Sequence, residues 1–216
     1  MMSPQSRHLN LNSQNGAVVG LVDMFLQRNL QHTALNLHHV HQKQQKQNFI
    51  RISCLLVDIG TKVLRRLLHF YTVTPTCNLP KFLKNNEKDI CDLGKKKVLK
   101  KPQLEEIFPI SGTTDPRKYD ISLTSALLLN LVPNLDPQVE KAIRDVRDDR
   151  NLYQAHASST RMNSSDFNTH WTRISQTLIY LCRCCSDSDF EDDISEEIKR
   201  IKRSGLQVLQ TRINNC

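Results

Sequence analysis

The chain has 216 residues, 38% of them hydrophobic, with 30 Lys and Arg against 22 Asp and Glu for a formal net charge of +8. That is enough to build one domain of about 100 to 200 residues with some tail, while a mean hydropathy of −0.47 argues against a membrane-embedded chain. The longest apolar run, Ala126 to Leu129 then Leu131 and Val132, is broken by Asn130 and stopped by Pro133, far short of the roughly 20 residues a spanning helix needs.

Residues 1–17 are polar and without periodicity, and fixed structure is not expected there. Val18, Leu21, Val22 and Phe25 begin an amphipathic pattern that carries Asp23 and lacks the cleavage site of a secretory leader. An intracellular, cytoplasmic chain is therefore expected, with no membrane among its partners. The pattern then dissolves into Gln- and His-rich text. His32, His38, His39 and His41 have poor helical spacing and no accompanying acid or thiol, so a solvated, frayed helix is expected, not a metal tract. Residues 1–47 read as an N-terminal extension.

From Asn48 the signal is clear. Phe49, Ile52, Leu56, Ile59, Val63, Leu67 and Phe70 recur at threes and fours, one apolar stripe on a 3.6-residue helix. Lys62, Arg65, Arg66 and His69 fall beside or opposite it and read as a solvated face. Asn78-Leu79-Pro80 predicts a new helix with Asn78 as cap and Pro80 in its first turn, burying Phe82, Leu83, Ile90 and Leu93. Gly94 punctuates the chain before its densest basic run, Lys95, Lys96, Lys97, Lys100 and Lys101. Lysines with no interleaved aromatic read as a phosphate-attracting, RNA-binding patch and not as a base-stacking surface. A short helix with Pro102, Leu104, Ile107 and Phe108 closes at Pro109.

After the turn-rich loop Ser111 to Pro116, Tyr119-Asp120-Ile121-Ser122-Leu123 opens the most apolar helix, running to Val132. Its three successive leucines, Leu127 to Leu129, require neighbours nearly all round, which makes it the expected bundle centre. Asp136-Pro137 starts the next helix, with Val139, Ala142, Ile143, Val146 and Tyr153 inward. Arg150 falls on or near that face, where an unpaired charge is costly. Asp149, Asn151 or a second copy of the chain are its candidate partners.

Arg150 and His156 form the candidate site. A guanidinium offers a planar fork that fits phosphate oxygens, and His156 has the one side-chain type whose ordinary pKa, about 6.5, lets it take and give a proton near neutrality. On a straight helix the two would lie about 120° apart, so convergence requires the helix to end or distort near Ala155, or the residues to work across an interface. Asp148 and Asp149 are adjacent and project differently. No carboxylate cluster suits magnesium, and no metal or cofactor is expected.

Further on, Phe167, Trp171, Ile174, Leu178 and Leu181 step cleanly by four and three, with Ser164 or Ser165 as cap and Trp171 in the core. His170 projects differently, toward solvent or substrate. Cys182, Cys184 and Cys185 lack a spaced partner pair for zinc and read as plain thiols. An acidic linker, Asp187 to Asp193, precedes a last helix with Ile194, Ile198, Ile201 and Leu206, and residues 204–216 read as a tail.

The run R-N-L-Y-Q-A-H-A-S-S from Arg150, the following D-F-N-T-H-W from Asp166, and K-K-K-V-L-K-K-P-Q-L-E-E-I-F-P from Lys95 resemble the HEPN domain family, in the branch of the DAZ-interacting zinc-finger ubiquitin ligase. Its signature is an Arg with four to six residues before a His. The resemblance covers about 48–203 and implies an antiparallel helical bundle, in agreement with the all-α pattern of four to six helices read from the periodicities. It also implies a homodimer facing two motifs across a helix interface, and RNA as partner. On this reading His156 assists attack of a ribose 2′-hydroxyl, Arg150 stabilises the phosphorane, and Asn151 orients one or the other. Two alternatives remain: the same pocket binds RNA without cutting it, or the domain is an interaction module in ubiquitin-ligase or innate-immune signalling, with Arg and His surviving as a structural pair.

Overall fold

The computed structural model describes residues 12–155 and 161–205. They fall into two units divided between Gln44 and Gln45, inside helix α1 (Asn12–Cys54). In the first unit the Gln- and His-rich text is helical, and residues 27–40 are exposed throughout. It is a solvated helix, as its composition requires.

The second unit is all-α. A π-helical turn (Leu55–Gly60) continues α1 and leads into α2 (Thr61–Thr72). Then come α3 (Leu79–Asn85), α4 (Glu87–Lys95), α5 (Lys101–Ile107), α6 (Ile121–Leu131), α7 (Pro137–Ala155), α8 (Ser164–Arg183) and α9 (Ser188–Arg203). Among the described residues there is no strand, only an isolated bridge between Thr74 and Cys77. No helix among them is long and apolar enough to cross a membrane.

The caps follow from short polar side chains that satisfy the orphan amides of a first turn. Asn78 Oδ1 accepts from Lys81 N at 3.0 Å, Asp120 Oδ1 from Leu123 N at 2.7 Å and Asp136 Oδ1 from Gln138 N at 2.8 Å. Two expectations are corrected. Asn163, not Ser164 or Ser165, caps α8, accepting from Asp166 N at 2.8 Å. The acidic stretch after Cys185 is no linker: Asp187 caps α9, which begins at Ser188, so Asp189 and Glu191 lie in its first turn, where the helix dipole favours negative charge.

The core is built by α2, α6, α7 and α8 around the π turn, with α9 against α8. Eight of the eleven residues of α6 are buried, which fits its place between α2 and α7. The α2 stripe holds through Leu67, but Leu64 and Leu68 are buried as well, while Phe70 is 43% exposed. A helix packed by α6 and α8 is enclosed on more than one side, so a single stripe understates its burial. Lys62 is exposed, as read, and Arg66 half-buried; both pair with acids on or next to α9. Lys62 pairs with Glu197 at 2.7 Å and Arg66 with Asp187 at 2.5 Å. Arg65 Nε donates to the Tyr119 carbonyl at 2.7 Å.

Two glycines mark close approaches. A Cβ on Gly60 would stand 3.3 Å from Ile121 Cδ1 and 3.5 Å from Val146 Cγ1, so α6 and α7 both press on the π turn there. One on Gly94 would stand 2.7 Å from Leu104 Cδ1. Gly94 therefore does not end α4, which runs to Lys95; it makes room for α5.

Candidate functional site

The close packing at Gly60 aligns the two elements that make the site. Ile121 is the first residue of α6, and Val146 lies one turn before Arg150 on α7, so Asp120 and Arg150 meet just above that contact. Arg150 Nη2 donates to Asp120 Oδ2 at 3.1 Å, and Nη1 to Asn151 Oδ1 at 3.2 Å. The Arg150 side chain is 24% exposed. Among the described residues, two of its five N–H donors are thus engaged.

Asp149 is not the partner. It is buried against Arg173 of α8, whose Nη1 and Nη2 reach its two oxygens at 2.9 and 2.5 Å. Hydrogen bonding to Asp149 holds the Arg173 guanidinium above its ordinary pKa. Asp148 points out and meets Arg147 at 3.1 Å. Adjacent acids thus diverge, one locking α7 to α8 and the other in solvent. Among the described residues no three His, Cys, Asp or Glu come together to hold a metal ion.

His156 and the course of α7 beyond Ala155 lie outside the described residues, as does Leu206. Where the chain resumes, it is pinned to the end of α1. Met162 N donates to the Gln45 carbonyl at 3.1 Å, and the buried Asn48 donates from Nδ2 to the Met162 carbonyl at 3.3 Å.

Lys95, Lys96, Lys97, Lys100 and Lys101 are all exposed. Lys95 pairs with Asp92 at 2.7 Å and Lys101 with Glu105 at 3.9 Å, while Lys96, Lys97 and Lys100 form no ion pair among the described residues. They lie on α4, α5 and the link between them, elements that pack on each other and through α3 on α2, whereas α7 packs on α6 and α8. The structure thus joins Arg150 with Asn151 but keeps the lysines on other elements.

A family model described as DZIP3/hRUL138-like HEPN matches residues 76–206, more than half of the chain. The chain belongs to the HEPN family. The curated proteins and the solved structures give no match. The matched HEPN region includes Arg150, Asn151, His156 and the five lysines, and it begins after α2, so α1 and the π turn precede it.

Asp120 is the site residue that sequence reasoning passed over. An Asp ahead of an apolar helical run signals a cap, and a capping carboxylate has a second oxygen to spare; nothing in the sequence says that Arg150, across 30 positions, takes it. His170 was expected to face solvent or substrate. It is half-buried, edge-on to the Tyr153 ring at 5.8 Å. Trp171 is buried, and the thiols are ordinary: burial pushes Cys182 up to about 12 and Cys185 to about 11, keeping both protonated at neutral pH.

Proposed function

We propose that this HEPN protein cuts RNA without a metal ion, with Arg150 as the phosphate ligand, Asn151 as the amide that orients it, and His156 as the proton carrier. The observation that supports it is the state of Arg150. It is half-buried, steadied by Asp120 and Asn151 through two donors, and precedes His156 by six positions in the sequence. A guanidinium fixed in this way can meet the extra negative charge of a phosphorane with little reorganisation. An imidazole can remove the 2′-hydroxyl proton as that oxygen attacks the neighbouring phosphorus. The departing 5′ oxygen needs a proton at the same moment, which one imidazole cannot give while accepting another. Two chains facing each other, each bringing one Arg150 and one His156, supply the acid and the base. The exposed Lys95, Lys96, Lys97, Lys100 and Lys101 extend the phosphate contacts along the strand.

The test is incubation of mixed RNA with the protein in excess chelator. Fragments are the expected result. RNA that is bound and never cut ends the enzyme reading.

A second reading has its own support. Asp120 caps α6 and pairs with Arg150, so the arginine also ties α6 to α7. A domain that keeps Arg150 for that reason alone binds RNA, or a ubiquitin-ligase or immune-signalling partner, without turning anything over.

A further inference from the structure

The part of α1 in the first unit carries an apolar stripe. Val19, Val22, Leu26, Leu30, Thr33, Leu37 and Val40 follow one another by threes and fours, six steps over 21 positions with a mean of 3.5. Steps of that size stay on one face of a helix. Leu30 is 68%, Leu37 66% and Val40 66% exposed, and Thr33 is exposed between them. Leu35, two positions past Thr33 and so about 160° round the helix from it, is also exposed but lies off the stripe.

Such a helix has little support of its own. Asn29, His32, Thr33, Asn36, His38 and His39 are weak helix formers, and most helical stability in proteins comes from packing an apolar face. The period of the stripe says what kind of body packs on it. A straight α-helix repeats every 3.6 residues, so a stripe repeating every 3.5 keeps facing its neighbour only when two helices of the same period wind around each other. Charge narrows the choice further. Between Val19 and Val40 only Asp23 and Arg28 are charged, with histidine neutral, and neither belongs to the stripe. Charges flanking a seam set the choice of a different partner helix, and here there are almost none to read. Two identical uncharged strands, by contrast, meet without like-charge repulsion.

We propose that α1 pairs through this stripe with α1 of a second copy of the chain, as a parallel two-stranded coiled coil. The parallel direction rests on the two-chain cleavage reading. Each HEPN unit follows its stripe in the chain, from Gln45 onward, so parallel strands bring the two units to the same end of the coil and antiparallel strands send them to opposite ends. Pairing makes the meeting of two Arg150 sites an event within one assembly, at a raised effective concentration. The stripe precedes the region matched by the HEPN model, which begins at residue 76, so this contact is additional to any that the matched region makes with its own copy.

The experiment is sedimentation equilibrium of the full chain beside charge variants of α1. Leu30→Asp combined with Leu37→Asp puts carboxylates into the stripe of both strands, and is expected to raise the dimer dissociation constant about thirtyfold or more. The unfolding curve of the HEPN unit should not move, because both positions are exposed. Leu35→Asp adds the same charge on the far side and is expected to leave the dimer unchanged. Thr33→Cys is expected to give a disulfide-linked dimer on mild oxidation, since only parallel strands in register set that position beside its own copy. The parent, with its exposed Cys91, gives the background. A monomeric parent, a dimer indifferent to the paired leucine substitutions, a dimer weakened equally by Leu35→Asp, or no added cross-link from Thr33→Cys each overturns the coiled coil. RNA cleavage by the same proteins separates the two readings. A dimer that depends on the stripe and never cuts RNA loses the nuclease and keeps the coil. A stripe variant that stays dimeric and cuts as the parent does loses the coil and keeps the nuclease.

Discussion

Asp120 divides its carboxylate between two jobs: Oδ1 caps α6 through Leu123 N at 2.7 Å, and Oδ2 holds Arg150 at 3.1 Å. The arrangement traces back to Gly60. Without a side chain there, Ile121 and Val146 both settle on the π turn, which sets the start of α6 beside the last third of α7. The π turn, often found near functional sites, is therefore part of how Arg150 is placed.

The two jobs can be separated. Asn caps a helix about as well as Asp, so Asp120→Asn should melt close to the parent, while Asp120→Ala should lose about 1 kcal/mol. Asp120 is half-exposed, and its ion pair adds little stability in water. RNA cleavage should fall by about tenfold in both variants, on the order of what one misplaced charge-assisted hydrogen bond costs. Full cleavage by Asp120→Asn at an unchanged melting temperature would show that the pair does not position Arg150.

Arg173 and Asp149 hold α7 to α8. The Asp149 side chain is 9% exposed, so Arg173→Met strands a buried carboxylate, at a cost of about 2 kcal/mol in urea unfolding. Adding Asp149→Asn should recover part of that loss. A single variant as stable as the parent would mean the carboxylate finds another partner.

Most of this fold was legible because it rests on periodicity and caps. Phe167, Trp171, Ile174, Leu178 and Leu181 read as one face and are buried on one face. Asn78 and Asp136 read as caps and are caps. The site was legible only in part. Arg150 carries a chemical signature in its own residue type, but its partner is chosen by the crossing of α6 and α7, which depends on Gly60 and on a π turn that no 3.6-residue pattern reveals. The lysine run was visible as charge, whereas its position on α4 and α5 follows from Leu104 packing onto Gly94.

Burial raises Cys182 and Tyr153 to about 12 and Cys185 to about 11 from ordinary values of 9.0 for the thiols and 10.0 for the phenol. All three are neutral when protonated, so the folded state binds their protons more tightly than the unfolded chain. Their contribution is fully present below pH 9 and is lost as pH rises through the folded values. Stability should be flat to about pH 8 and fall steadily between about 9 and 12. Cys182→Ala should flatten the fall between about pH 9 and 11, even if it starts lower at neutral pH from the small cavity it opens. An unchanged slope would remove Cys182 from the account.

Sedimentation should give twice the chain mass at concentrations where RNA is cut, because acid and base must come from separate imidazoles. A monomer with full activity would require another residue as the second proton carrier.

The chemistry itself makes the sharpest claim. RNA should be cut in chelator to leave cyclic phosphate ends, and DNA of the same sequence should survive, since it lacks the attacking 2′-hydroxyl. His156→Ala should lose a proton-transfer contribution of about 10² to 10⁴ in rate. Arg150→Lys should fail as well. Its ammonium can still pair with Asp120, but a point charge cannot hold Asp120, Asn151 and a phosphate oxygen in one plane as the guanidinium fork does. Because Arg150 also ties α6 to α7, each variant is compared with the parent by its unfolding curve before its rate is read. Loss of cleavage by a folded Arg150→Lys assigns the arginine to the reaction. Unchanged cleavage by folded forms of both variants removes Arg150 and His156 from the reaction and leaves Arg150 as a structural tie between two helices.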